Sequence, residues 1–364
     1  RPPGRAARRG RWAAFLVLGL IPLMSAAMTE ITLLHTNDAH GRYLPFAVAP
    51  GDATAQTGDP GREPASFGRT GAVGGIAHLA TAINAIRAEH GRDAVLLLAG
   101  GDSFADDLLG NLTEGEAMIR LMNAVGYQFM ALGNHDFDYG VARTRALQQI
   151  ADFPLRAANV LEDERPFLGE PSKIFTLRGV KIAVLALGYH NTDETGSKKN
   201  FKGLRFVSGL DAAREQVPKL RREADAVVVL SHQGSKVDRE LARRVPGIDV
   251  IVGAHSHDVI SPPERIGDTW IAQALSDGAA LGELKLRFDA QRRITDVSGR
   301  LHMLWSDRYP PAPDIQALVQ TLRAPQREKL EQVIATAEER IGRQYRSESP
   351  FDVMVGDILR AHTG

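Results

Sequence analysis

The sequence predicts an α/β fold, with a parallel or mixed sheet and helices outside it. Two observations predict this. Apolar runs of strand length over residues 30–37, 94–99 and 127–132 alternate with helical patterns over 75–90 and 115–125. That is a succession of strand–helix–strand units. Each of these strands also ends in polar side chains: Asn37-Asp38-Ala39-His40, Gly101-Asp102 and Gly133-Asn134-His135-Asp136-Phe137-Asp138. Turns after parallel strands are where open α/β sheets place their ligands.

Taken in order, residues 30–37 alternate and are rich in Ile, Leu and Thr, as a strand requires. Residues 45–74 are rich in Pro, Gly and Ala without periodicity and read as a long surface loop. The helix over 75–90 sets Ile76, Leu79, Ile83 and Ile86 on one stripe. The unbroken apolar run 94–99 suits a strand buried on both faces. A helix over 115–125, the strand 127–132 and a helix from about Val141 follow. Residues 174–177 and 180–187 flank Arg178-Gly179 as a hairpin. The helix over 209–223 contains Pro218, which should kink it. The strand 226–230 ends in Ser231-His232, and after a helix over 236–245 the short strand 250–252 ends in Gly253-Ala254-His255-Ser256-His257. Residues 270–273, 280–289 and 293–301 read as antiparallel strands. Residues 314–342 form a polar helical stretch broken near Pro325, suited to a packed connector between domains. Residues 351–363 begin another amphipathic pattern.

A length of 364 residues implies two domains, or one large domain with appendages. A hydrophobic share of 43% is enough for a packed core, and a net charge of zero gives no reason to expect a nucleic-acid partner. Cysteine is absent, so any metal must be held by His, Asp, Asn or Glu. At the start, Arg5, Arg8, Arg9 and Arg11 precede an apolar run over 12–23 and the small residues Ser25-Ala26-Ala27. This reads as a signal peptide over 1–27, cut after Ala27. The run is short for a span of about 20 residues, so no stable membrane insertion is expected after cleavage. The expected location is periplasmic or extracellular.

An isolated Asn-His-Asp turn would ordinarily cap the next helix. Here four other segments carry similar groups, and together they supply enough Asp, Asn and His for two divalent ions. Carboxylate and imidazole suit Zn²⁺, Mn²⁺ or Fe²⁺. Two ions sharing an Asp bind a hydroxide between them and clamp the attacking and leaving oxygens of an in-line displacement at phosphorus. A His held by an Asp can protonate the leaving oxygen. His78, His90 and His190 stand alone and read as structural or exposed. The Gly-rich run over 71–75 lacks the Lys-Ser/Thr of a phosphate loop.

Leu34-His35-Thr36-Asn37-Asp38-Ala39-His40-Gly41-Arg42, Gly101-Asp102, Gly133-Asn134-His135-Asp136-Phe137-Asp138, Ser231-His232 and His255-Ser256-His257 resemble, in order, the five signature blocks of metallophosphoesterases. The set is most similar to the exported 5′-nucleotidase and UDP-sugar hydrolase family. The resemblance implies a four-layered sandwich, two mixed sheets flanked by helices. It implies that Asp38, His40 and His257 hold one ion, that Asn134, His232 and His255 hold the other, and that Asp102 bridges them. His135 would be the catalytic histidine, oriented by Asp138. The family often has Gln at His257 and Glu at Asp136, the latter not a ligand. Its C-terminal domain stacks the nucleoside base between aromatics. The implied organisation is a catalytic domain over 28–310, a helical linker over 311–346 and the opening of that second domain over 347–364. The implied activity is release of phosphate from 5′-nucleotides. The same centre could serve UDP-sugars, cyclic nucleotides or sulfur esters. A non-catalytic metal- or nucleotide-binding protein is the rival from another class, and the presence of both His135 and Asp138 speaks against it.

Overall fold

The computed structural model describes residues 28–52, 66–338, 341–342 and 348–363. The segment read as a signal peptide lies outside the described residues. The first part of the chain runs β1 (Thr29–Thr36), β2 (Pro45–Val48), β3 (Gly71–Gly74), α1 (Ile76–His90), β4 (Val95–Ala99), α2 (Leu108–Leu112), α3 (Glu116–Val125), β5 (Phe129–Ala131), α4 (Val141–Ile150) and β6 (Leu155–Arg156). The middle runs β7 (Val160–Glu162), β8 (Arg165–Pro166), β9 (Ser172–Leu177), β10 (Val180–Leu187), β11 (Leu204–Phe206), α5 (Gly209–Leu220), β12 (Ala226–Ser231), α6 (Ser235–Arg244) and β13 (Val250–Gly253). The remainder is β14 (Val259–Ile266), β15 (Thr269–Ala274), β16 (Ala280–Phe288), β17 (Ile294–Met303), α7 (Pro313–Arg323), α8 (Arg327–Glu331) and α9 (Pro350–Thr363).

Two six-stranded mixed sheets dominate, in the orders β17-β16-β1-β4-β5-β6 and β14-β15-β13-β12-β10-β9. The chain leaves the first sheet after β6, builds the second, and returns at β16, which pairs antiparallel with β1 from Thr29↔Phe288 to His35↔Gly282. Strand side chains alternate between faces, and the packing follows that alternation. Ile31, Leu33, Leu96 and Leu98 of the first sheet pack with Ile182, Val184, Val228 and Leu230 of the second. The opposite face of the first sheet sets Leu34 and Leu97 against Ile83, Ile119, Ile315 and Val319 from α1, α3 and α7. The opposite face of the second sets Ala183, Leu185 and Val229 against Val217 of α5 and Leu241 of α6. The result is helix, sheet, sheet, helix, and it explains why β4 reads as an unbroken apolar run.

Three expectations need correction. The ends of the stretch 45–74, read as a loop, form the antiparallel pair β2–β3. Val48, Phe67 and Val73 are buried there, and Phe67 meets Trp305 edge-on at 6.3 Å; residues 53–65 lie outside the described set. Strand pairing, not propensity, fixes this Pro- and Gly-rich ribbon. β15, expected to be antiparallel, runs parallel to β13 and antiparallel only to β14. β14 was hidden by Pro262 and Pro263, which are tolerated because it is an edge strand. The helical stretch expected over 314–342 is shorter, ending at Glu331, and its first part is core, since Ile315 and Val319 are buried. No helix among the described residues is long and apolar enough to cross a membrane.

Candidate metal centre

Each expected metal ligand, and the His135–Asp138 pair, sits just beyond the carboxyl end of a strand. Asp38 and His40 follow β1, Asp102 follows β4, and Asn134, His135 and Asp138 follow β5 in the first sheet. His232 follows β12, and His255 and His257 follow β13, in the second. The donors therefore meet where the ends of the two stacked sheets adjoin.

The backbone is bent to bring them there. Asp38, His40, Asp102, His255 and His257 all have positive φ, between 47° and 72°. L-residues rarely adopt that region, and they hold it only where surrounding contacts over-determine it. Those contacts stitch the turns together. Asp38 N donates to Gly101 O at 3.0 Å and His40 N to Asp102 O at 2.9 Å. His255 N donates to Asp38 Oδ2 at 2.9 Å. Asp136 is fully inside and accepts from Asp102 N at 2.9 Å, Ser103 N at 3.0 Å and Gly133 N at 2.8 Å. Its job is to tie the turn after β4 to the turn after β5. Gly133 lies beneath: a Cβ there would fall 2.1 Å from Asp102 Oδ1 and 2.6 Å from His232 Cε1.

Three groups of donors could hold a cation among the described residues: two are made of side chains singled out in the sequence, and the third joins His40 and His135 to Asp106. In one of the first two, His40 Nε2 and His257 Nε2 are 3.1 Å apart, and His257 Nε2 is 3.5 Å from Asp38 Oδ1. In the other, His232 Nε2 is 3.1 Å from Asp102 Oδ2, with the His255 ring 5.2 Å from that of His232. His232 Nε2 is also 3.8 Å from Asp38 Oδ1, which joins these two groups. Asn134 is buried at the same turn as His135.

A divalent cation fits this donor set. His232 Nδ1 donates to Gly100 O at 2.8 Å, an acceptor only, so Nε2 is left with its lone pair toward the carboxylates. Asn134 Oδ1 and His255 Nδ1 are buried without a hydrogen-bond partner, and His232 Nε2 has only its ion pair with Asp102 at 3.1 Å. Leaving such groups unsatisfied costs about 1–3 kcal/mol each. Ligation would satisfy all three. The local field favours positive charge. Burial works against charge on His232, but Asp102 and Asp38 together with the Gly100 carbonyl raise it to about 9. Burial would raise Asp38, yet His257 and His232 hold it down at about 2. A metal ion would take the place of the protons on these rings.

His135 differs in being about a third exposed, so a ligand can reach it from solvent. Its Nδ1 lies 2.9 Å from Asp138 Oδ2, and its backbone N donates to Asp102 Oδ1 at 2.8 Å. Burial opposes the imidazolium, but the Asp138 hydrogen bond and the charges of Asp102 and Asp106 raise it to about 10.

Three neighbours escaped the sequence reading. Asp106 Oδ2 lies 2.6 Å from His40 Nδ1 and 3.8 Å from His135 Nδ1. The Tyr189 ring stacks on His255 at 3.9 Å and 26°. Asn200 Nδ2 donates to Asp138 O at 2.8 Å, bringing the turn that carries Lys198 and Lys199 alongside. Tyr189 follows β10, so the strand-end rule applied once more would have found it. Asp106 had no such signal. The solitary histidines lie elsewhere: His78 Nδ1 pairs with Tyr309 O at 2.6 Å, His190 Nδ1 with Gln233 Oε1 at 3.0 Å, and His90 Nε2 lies near Glu89 at 3.5 Å and Glu283 at 3.9 Å without a hydrogen bond.

Comparison with known proteins agrees with this arrangement. The profile of the calcineurin-like phosphoesterase family matches residues 31–259. The 5′-nucleotidase of Bos taurus is 30% identical over 83% of this chain and 54% of its own length. Protein UshA of Yersinia enterocolitica is 30% identical over 71% of this chain and 49% of its own. Among solved structures, the sulfate thiohydrolase SoxB of Thermus thermophilus superposes with a TM-score of 0.80 at 26% identity, covering 91% of this chain and 67% of that one. A 5′-nucleotidase precursor from the same species gives 0.72 at 26% identity, covering 84% and 61%. The chain spans about half the length of the curated relatives it matches. Five turns that gather carboxylates and imidazoles between two stacked sheets, and a family profile that covers most of the chain, lead to one conclusion: this chain belongs to the calcineurin-like phosphoesterase family.

Proposed function

We propose that the chain is the catalytic part of an exported phosphohydrolase with two divalent ions, releasing phosphate from 5′-nucleotides. The observation that carries this is the pair of donor groups joined through Asp38 and His232 beside the His135–Asp138 pair. In this reading Asp38, His40 and His257 hold one ion, and Asn134, His232 and His255 the other. Asp102, 3.1 Å from His232 Nε2 and accepting from His135 N, would bridge the two. When bound, the ions would supply Lewis acidity toward phosphate oxygens and a nucleophile at neutral pH. The protein does the rest. Asp138 holds His135 by Nδ1, which leaves Nε2 to meet the substrate and give its proton to the leaving oxygen. Asp136 keeps the turns after β4 and β5 at fixed separation, so His135 and Asp102 stay in register. Zn, Mn and Fe all suit the donors.

The substrate is read from the 5′-nucleotidase relatives. A sulfur ester is a second reading, favoured by the superposition on SoxB over 91% of the chain. Base recognition is assigned to a domain that residues 347–364 open, after a linker that begins beyond the packed helix α7. The test is product release from AMP, UDP-glucose, cyclic AMP, an aryl phosphate and an aryl sulfur ester, with and without chelator. We expect chelator-sensitive release of phosphate from AMP and from the aryl phosphate. Chelator-resistant turnover, or none in metal-replete buffer, would sink the proposal. Export rests on the basic, apolar and small residues before Met28. N-terminal sequencing of the mature protein should begin at or near Met28, and retention of residues 12–23 would mean an anchored form instead.

A further inference from the structure

The loop after β4 carries a carboxylate that the reading above leaves without a task. Asp106 is held at φ 84°, a conformation suited to glycine, and its side chain faces two imidazoles. Its Oδ2 is 2.6 Å from His40 Nδ1 and 3.8 Å from His135 Nδ1, and the two rings are 5.3 Å apart. His40 turns its other nitrogen to His257 Nε2, 3.1 Å away. Asp138 already serves His135 at 2.9 Å. The closer and otherwise unserved partner of Asp106 is therefore His40.

We infer that Asp106 is a positioning residue for the metal centre: it accepts the Nδ1 proton of His40, which fixes the tautomer and aims the Nε2 lone pair at the ion shared with Asp38 and His257. The inference rests on the dinuclear reading of the site. Imidazoles that ligate metals generally donate their other N–H to a carboxylate or carbonyl, and losing that partner typically weakens metal binding 10–100-fold. For His232 the partner is the Gly100 carbonyl at 2.8 Å; for His40 it is Asp106. A carboxylate makes its imidazole the more basic ligand, so the two proposed ions would not be held alike. The backbone supplies an internal control. At φ 84° glycine is at ease where aspartate is strained, so Asp106→Gly removes the carboxylate while relieving the chain.

The experiment uses Zn²⁺ alone, with wild type, Asp106→Gly and Asp106→Asn. Zinc affinity and stoichiometry are read by competition with a chromophoric chelator. Ring-nitrogen NMR of the metal-free protein, at a pH above about 9 where His40 is neutral, reads its tautomer, and thermal unfolding is measured without metal. We expect wild type to bind two ions, with His40 carrying its proton on Nδ1. In Asp106→Gly the affinity for one ion should fall 10–100-fold, the tautomer preference should be lost, and metal-free melting should be unchanged or higher. Asp106→Asn, whose amide oxygen still accepts the proton, should fall between the two. Unchanged zinc affinity and tautomer in Asp106→Gly would overturn the inference. A lower metal-free melting temperature in that variant would overturn it in favour of a structural role. A third zinc in wild type that disappears in Asp106→Gly would overturn it in favour of direct ligation. Failure of wild type to bind two ions would remove the dinuclear reading itself, and shows before any variant is compared.

Discussion

A single methyl group at Gly133 should dismantle the centre while sparing the fold. In Gly133→Ala the new carbon would sit 2.1 Å from Asp102 Oδ1 and 2.6 Å from both Asp102 N and His232 Cε1. Ordinary contact begins near 3.4 Å, so the Asp102 carboxylate must retreat by 1.3 Å (3.4 − 2.1). It cannot do so alone. Asp102 N is bound to Asp136 and Asp102 Oδ1 to His135 N, while His232 is held by Gly100 O. Gly133 itself does not have positive φ, so the backbone accepts alanine and the effect isolates the methyl. Overpacking of this kind costs about 1–3 kcal/mol, or about 2–10 °C in melting temperature for a chain of this size. A misplacement of about 1 Å at reacting groups costs about 10²-fold in rate. The assay is metal per chain by plasma mass spectrometry, turnover of an aryl phosphate, and thermal unfolding. We expect a folded protein with metal depleted and the rate down at least about 10²-fold. Full metal content with turnover near wild type would refute the assignment of Asp102 and His232 as adjoining ligands.

Two further outcomes follow from the His135–Asp138 pair. His135→Ala should lower the rate about 10²–10⁴-fold, the scale of a positioned general acid, with metal content intact; loss of metal would make it a ligand instead. In the metal-free protein His135 is raised from 6.5 to about 10, so there its protonated form, and any stability it lends, is fully present below 6.5 and lost as pH rises through 10. Asp138→Asn removes one cause of that rise. The alkaline limb of the pH–rate profile should therefore move to lower pH, and a limb that stays in place would belong to another group.

The parts legible in the sequence are those that burial dictates. β4 along its whole length and β12 up to Ser231 are apolar because both faces are covered, and the polar turns after them stand out by contrast. Where burial is uneven the signal fades. β14 exposes part of each face and holds two prolines, so only its pairing with β15 reveals it. Asp106 was illegible for another reason: its role depends on a left-handed backbone in a loop, and no periodicity encodes that. Asp136 shows the converse. Its place in a signature block was plain, but three backbone N–H partners on two different turns could not be read from its neighbours in sequence.

The second sheet interrupts the first, and this has a kinetic meaning. β1 begins the fold, yet one of its two edges waits for β16, the partner of Thr29 being Phe288. Until then β1 has a bare row of donors and acceptors on that side, which is a hazard for misassociation. Pairings so distant in sequence are closed slowly, because the intervening chain must be ordered first. The strand that presents Asp38 and His40 is thus clamped on both sides only after β12 and β13 have delivered His232, His255 and His257. A nascent chain that has not yet reached Phe288 lacks the strand that clamps the second edge of β1, so Asp38 and His40 would be supported from one side only.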